Sequence, residues 1–159
     1  MCIFHKLLDN TKYRGDYILM DLDYKNSSHL DVRSDHFAEE NGSLYAGNHY
    51  LVDMWGCNFL ENDQKIKKLL ISAAEIAGAT ILHAHAHHFG EGQGVSGVVL
   101  LAESHISIHT WPERNFAACD IFMCGNTNPD LSVGLLKKEF QPSKIYVKKM
   151  KRGLVSQET

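Results

Sequence analysis

The run Val95-Ser96-Gly97-Val98-Val99-Leu100-Leu101-Ala102-Glu103-Ser104-His105-Ile106-Ser107-Ile108-His109-Thr110-Trp111-Pro112-Glu113 decides the architecture of this chain. Its first part, Val95 to Ala102, is continuously apolar and reads as a central strand buried on both faces. Residues 105–110 and 117–123 read as two further strands, joined by a turn near Glu113-Arg114-Asn115. Upstream, His49-Tyr50-Leu51-Val52-Asp53-Met54-Trp55 reads as a strand ending at Gly56. Thr80 to His88 reads as another, followed by the flexible turn Gly90-Glu91-Gly92-Gln93-Gly94.

Two helices complete the pattern. Asn62 or Asp63 can cap the first. Ile66, Leu69, Leu70, Ala73, Ala74 and Ala77 then recur on one face, and Gly78 is placed to end the helix in a left-handed conformation. Pro129 opens the second helix, with Leu131, Leu135, Leu136 and Phe140 as its apolar positions. Lys144 to Lys149 reads as a last strand. Strand, helix, several strands, helix, strand implies an α+β two-layer sandwich, with helices on one face of a mainly antiparallel sheet. The other face then needs cover, and a dimer pairing sheet to sheet is one solution.

Residues 1–43 carry little pattern. Tyr17-Ile18-Leu19-Met20-Asp21-Leu22 reads as a strand, and Asn26 to Gly42 as a polar loop. The expected division is an N-terminal extension, residues 1–43, and a domain, residues 44–159.

The bulk numbers narrow the function. A length of 159 residues suits one domain with a real core. A net charge of −3 argues against a general nucleic-acid binder, so the basic stretch Lys148-Lys149-Met150-Lys151-Arg152 reads as a solvated tail. Four cysteines without a CxxC pair, and no signal or membrane-length apolar run, point to free thiols in a reducing cytoplasm and to no membrane partner.

The ten histidines are clustered. His83, His85 and His87 alternate, so a strand places all three on one face, with His88 facing away. Three co-facial imidazoles make a metal-binding module the rival reading. No carboxylate or cysteine at ligand spacing completes the set, so a polar sheet face, or histidines bordering an active site, is favoured and no metal is expected.

A more specific signal lies in Glu103 to Glu113, in Gly94-Val95-Ser96-Gly97 just before it, and in Cys119-Asp120-Ile121-Phe122-Met123-Cys124-Gly125 after it. Together they resemble the self-cleaving site of the prokaryotic S-adenosylmethionine decarboxylases. The joint pattern runs from His49 through Gly78 to Gly125. The resemblance implies a proenzyme that cuts itself between Glu103 and Ser104, with Ser104 becoming a covalent pyruvoyl cofactor that forms a Schiff base with the substrate amine. It assigns His109 and Ser96 to processing, His109 as the base and Ser96 as a hydrogen-bond donor to the reacting carbonyl. It makes Cys124 the proton donor in turnover. Trp111 and Phe89 become the clamp on adenine, Glu113 the acceptor for ribose hydroxyls, and Asp53 an acidic residue of the site.

The implied activity is decarboxylation of S-adenosylmethionine, whose product donates the aminopropyl group in spermidine synthesis. The implied assembly is a homodimer of cleaved α and β chains. Relatives act on ornithine or arginine by the same pyruvoyl chemistry, which supplies an alternative substrate. The stretch before Gly47 precedes the usual family start. The turn from His88 to Gly94 is one residue longer than usual and lacks the expected proline. Spacing itself raises one conflict: Ser104 and His109 are an odd number apart, so an unbroken strand points them to opposite faces. They meet within one chain only if the strand bends, bulges or is cut.

Overall fold

The computed structural model describes residues 11–14, 17–20 and 37–155. Strands β1 (Thr11–Arg14) and β2 (Tyr17–Met20) pair as an antiparallel hairpin in a unit of their own, Met1–Ser34. The strand expected from Tyr17 therefore forms and is described as far as Met20, while Asp21 and Leu22 lie outside the described residues.

Everything else lies in the second unit, Asp35–Thr159. It opens with a hairpin of β3 (Ala38–Glu40) and β4 (Ser43–Tyr45), where a polar loop was expected. The reason is the turn pair Asn41-Gly42, with φ of 53° and 76°, the left-handed conformation that two-residue hairpins require. Residues 26–36 of that expected loop lie outside the described residues.

The body follows the order β5 (Gly47–Trp55), α1 (Asp63–Ile76), β6 (Ile81–His88), β7 (Val95–Leu101), β8 (Ser104–Trp111), β9 (Phe116–Met123), α2 (Pro129–Phe140), β10 (Lys144–Arg152). The six strands form one sheet in the order β10-β5-β9-β8-β7-β6, and every neighbouring pair is antiparallel. A 3₁₀ turn over Pro112–Arg114, with Asn115 left-handed at φ 48°, joins β8 to β9 where the turn was expected.

Both helices lie on one face. The Asn62 side chain caps α1 by accepting the Lys65 N–H at 2.8 Å, and Ile66, Leu69, Leu70, Ala73 and Ala74 are buried, as the spacing predicts. Asn128 caps α2, and Pro129 starts it. The Ser132 hydroxyl donates to the Ala73 carbonyl at 2.6 Å, fastening one helix to the other over small side chains. Leu136 and Phe140 of α2 enter the core, but Leu131 stays exposed. Beneath the helices lie Val52 and Met54 of β5, Val95, Val99 and Leu101 of β7, Ile106 and Ile108 of β8, and Cys119, Ile121 and Met123 of β9.

Among the described residues, the opposite face of the sheet has no helix. In β7, Val98 and Leu100 are 40% and 50% exposed, so the run expected to be buried on both faces is covered on one only. The basic stretch at residues 148–152 is also not a solvated tail. β10 continues to Arg152 and pairs residue by residue with β5, and its Lys149 and Lys151 ion-pair with Asp130 and Glu40.

Candidate functional site

The chemistry-bearing residues of β7, β8 and β9 fall into two groups at opposite ends of the strands. The first surrounds the two-residue turn Ala102-Glu103 between β7 and β8, where Ser104 pairs with Leu101. Glu103 is left-handed, with φ 63°, a conformation that costs a side-chain-bearing residue roughly 1–2 kcal/mol. Ser104 is only 6% exposed and lies on the helix side of the sheet. Its Oγ accepts the backbone N–H of Cys124 at 3.0 Å, and the Cys124 thiol donates to the carbonyl oxygen of Glu103 at 3.1 Å. One cysteine thus holds both sides of a single peptide bond.

Cys124 is itself held. It follows β9 directly, and the Thr127 hydroxyl donates to its carbonyl at 2.8 Å. Gly47 lies against it: a Cβ there would sit 2.7 Å from the Met123 carbonyl oxygen and 3.0 Å from the Cys124 sulfur. Any larger residue at 47 presses on the Met123 backbone and crowds the thiol. Burial pushes the Cys124 thiol above its ordinary 9.0, and the negative Glu103 adds to this, while the hydrogen bond with Ser104 opposes it. The thiol is therefore protonated at neutral pH and available as a donor.

The second group lies at the other end of β7 and β8 and on the helix-free face. Ser96 Oγ and His109 Nδ1 are 2.7 Å apart, opposite one another in the register of the two strands. They open into a cleft of about 540 Å³ that Phe89, Gln93, Trp111 and Glu113 also line. Trp111 stacks on Phe116, with ring centroids 5.4 Å apart, and Phe89 meets His87 edge-on at 4.9 Å. Both clefted aromatics keep exposed faces, at 39% and 55%.

Two buried devices fix the cleft wall. The Thr110 hydroxyl donates to the Leu60 carbonyl at 2.6 Å and accepts the Val95 N–H at 2.7 Å. Gly94 lies so close to Thr110 that a Cβ would overlap the Thr110 carbonyl oxygen. The turn carrying Phe89 is tied down by the Gly92 N–H donating to Glu61 at 3.1 Å, and by His88 Nε2 donating to the Gln93 carbonyl at 3.1 Å. Asp53 projects from β5 on the helix-free face, in the same cross-strand row as His109 with Ala118 between them.

Within one chain the two groups do not meet. β8 pairs with β7 from Ser104 to His109, and with β9 from His105 onward, without a register break. Five residues of strand separate them by about 16 Å, and their side chains face opposite sides. The conflict raised by the odd spacing is real.

The histidines of β6 take the expected alternation, with His83, His85 and His87 on the helix-free face and exposed. Among the described residues no three His, Cys, Asp or Glu side chains converge as a metal site. A different polar group was missed by sequence reasoning: His49 bonded to Asp120 and to Arg152, beside His105. Its only signal was that His49 and Asp120 occupy the non-core phase of their strands.

A family profile described as S-adenosylmethionine decarboxylase matches residues 48–153. The S-adenosylmethionine decarboxylase proenzyme of Brevibacillus brevis is 49% identical over 111 residues, covering 68% of this chain and 83% of the relative. That of Methanococcus maripaludis strain C5 is 42% identical over 112 residues, covering 69% and 91%. The crystal structure of the adenosylmethionine decarboxylase from Aquifex aeolicus VF5 superposes with a TM-score of 0.64 at 33% identity, over 72% of this chain and 97% of that one.

Proposed function

Since this chain belongs to the S-adenosylmethionine decarboxylase family, we propose that it cuts itself between Glu103 and Ser104 and then decarboxylates S-adenosylmethionine. The product serves as the aminopropyl donor for spermidine synthesis. The observation that carries the reading is the double hold of Cys124 on the Glu103–Ser104 peptide.

Maturation needs the Ser104 hydroxyl to attack the Glu103 carbonyl carbon, which turns the amide into an ester and frees the Ser104 amine. Negative charge develops on the Glu103 oxygen, where the Cys124 thiol already donates. A base then removes the Ser104 α-proton, and the Glu103 carboxylate leaves. The dehydroalanine that remains takes up water and releases ammonia, giving a pyruvoyl group at the start of an α chain, residues 104–159. Residues 1–103 become the β chain. The left-handed Glu103 loses its backbone strain once the bond is cut.

His109 is the base that this sequence offers, with Ser96 positioning its ring, yet neither reaches Ser104 of its own chain. We therefore assign them to Ser104 of a second copy. The helix-free face carries the apolar Val98, Leu100, Trp111 and Tyr146, all exposed, which suits burial against another sheet. A two-fold axis lying between two such sheets and across the strands reverses strand direction. It sets the His109 end of one copy over the Ser104 end of the other and removes the separation along the strand. Because the Ser104 side chain still faces the helix side, His109 would approach the Ser104 main chain, where the α-proton is. The homodimer then holds two sites, each drawn from both chains.

The pyruvoyl carbonyl supplies the electron sink for loss of carbon dioxide. The chain's own residues do the rest. Cys124, a partly buried thiol whose pKa is raised above 9.0, is protonated at neutral pH and gives the proton that replaces the lost carboxylate. Trp111 and Phe89 offer aromatic faces to a purine and a sulfonium cation, Glu113 accepts from ribose hydroxyls, and Asp53 adds negative charge on the same face.

The test is an intact-mass spectrum of the purified protein, followed by carbon dioxide release from S-adenosylmethionine, ornithine and arginine in parallel. Two fragments dividing at Ser104, with release from S-adenosylmethionine alone, are expected. Release from ornithine or arginine instead would replace the substrate, and an uncut, inactive chain would overturn the reading.

A further inference from the structure

His105 follows directly after the bond to be cut, and its ring belongs to an aromatic row that crosses three strands. On the helix-free face His105 of β8 stands opposite Phe122 of β9, and Phe122 stands opposite His49 of β5. The His105 and Phe122 rings are tilted, with centroids 5.8 Å apart. The His49 ring meets Phe122 edge-on at 5.7 Å and His105 at 6.4 Å.

His49 is fixed at both nitrogens. Nε2 lies 3.3 Å from Asp120 Oδ1, and the Arg152 guanidinium lies 3.1 Å from Nδ1. Arginine only donates, so Nδ1 accepts and the ring proton is on Nε2, donating to Asp120. The ring is thus oriented from β9 on one side and β10 on the other, and its side chain is 15% exposed. Burial, and then the neighbouring His49, hold His105 below its ordinary 6.5, against a smaller opposing effect of Asp120. An uncharged ring packs as an aromatic one.

Before cleavage the Ala102-Glu103 turn ties the start of β8 covalently to β7. The cut removes that tie, and maturation consumes the Ser104 hydroxyl that accepts from Cys124. A free strand end frays unless something holds it, and the first side chain left on this one is His105. We propose that His105, seated on Phe122 and on the doubly bonded His49, anchors the new chain start after cleavage and keeps residue 104 in register with Cys124. His105 and His49 are then positioning residues for turnover and not for the cut. This inference rests on cleavage at Ser104.

The experiment compares His105→Ala and His105→Phe in the normal protein and in an uncleaved Ser104→Ala background. Expected for His105→Ala are cleavage at the normal rate, kcat lower by about tenfold or more with KM unchanged, and lost hydrogen-exchange protection of amides 105–107. Its Tm falls further in the cleaved protein than in the uncleaved background, because the turn holds the strand in the latter. His105→Phe keeps the ring contacts and restores kcat and protection. Equal Tm losses in the two backgrounds, unchanged protection, or no rescue by Phe would overturn the anchor. So would failure of both variants to cleave, which would place residue 105 in the cut itself. An uncut wild-type chain would remove the underlying reading, a result distinct from a cut wild type indifferent to residue 105.

Discussion

The Cys124 thiol donates to the carbonyl oxygen of Glu103 at 3.1 Å while its backbone N–H donates to Ser104 Oγ at 3.0 Å. A single residue therefore polarises the carbonyl under attack and fixes the attacking oxygen. Removing one preorganised donor to an oxyanion costs roughly a hundredfold or more in rate where the donor is an amide. A thiol donates more weakly. Cys124→Ala is expected to cleave itself about tenfold more slowly, followed as fragment appearance on a denaturing gel. Once cut, it should bind substrate but turn over poorly, because protonation loses its donor. Full activity there would remove Cys124 from the mechanism.

The two-chain site predicts complementation. Ser104→Ala alone and His109→Ala alone should each remain one uncut, inactive chain. Co-expressed with different affinity tags and purified through both, the pair should yield mixed dimers. In those, the Ser104 of the His109→Ala chain is cut by the His109 of the other. Absence of fragments in the doubly selected protein would mean that Ser104 and His109 do not act across copies.

The raised Cys124 thiol sets the alkaline limit of turnover. An acid whose folded pKa lies above its unfolded value stays protonated to higher pH when folded. Its contribution to stability is whole below the ordinary 9.0 and is lost as pH rises through the folded value. The midpoint of the alkaline fall in kcat should therefore lie above the ordinary thiol value of 9.0. Cys124→Ser, whose hydroxyl does not ionise there, should lack that falling limb. A wild-type midpoint below pH 9 would contradict the raised thiol.

The cleft wall depends on Thr110 and Gly94. Thr110→Val leaves the Leu60 carbonyl and the Val95 N–H without their buried partner, at a cost of about 1–3 kcal/mol for each group. Urea unfolding of the uncleaved Ser104→Ala protein measures this without interference from the cut. Gly94→Ala forces the backbone of β7 away from that of β8 and should be the more damaging change. Gly92→Ala, with open space beside it, should cost only about 1 kcal/mol through its positive φ of 71°.

Much of this protein was determined by local pattern. The spacing of Ile66, Leu69, Leu70, Ala73 and Ala74 placed a helix with its buried face, and Asn62 and Gly78 marked its ends, because capping and periodicity are short-range effects. The residues from Ser96 to Cys124 marked a resemblance to the S-adenosylmethionine decarboxylases, and the match to that family bears the family out. Alternation in β6 placed three histidines on one face. The Asn41-Gly42 hairpin was equally legible as a turn signal, but polar neighbours concealed the strands around it.

What only the tertiary structure decided is who meets whom. Sequence spacing placed Ser104 and His109 five residues apart, and the unbroken pairing of β8 turned that spacing into separation by a strand's length and a sheet's thickness. Cys124 reached Glu103 from twenty-one positions away because β9 lies antiparallel beside β8, a pairing no local propensity encodes. His49, Asp120 and Arg152 became one cluster because β5, β9 and β10 are neighbours in the sheet though far apart in the chain. Propensities and caps act over one or two turns of backbone. Strand order is set by which long-range burial of apolar faces wins, and that contest is settled only by the whole fold.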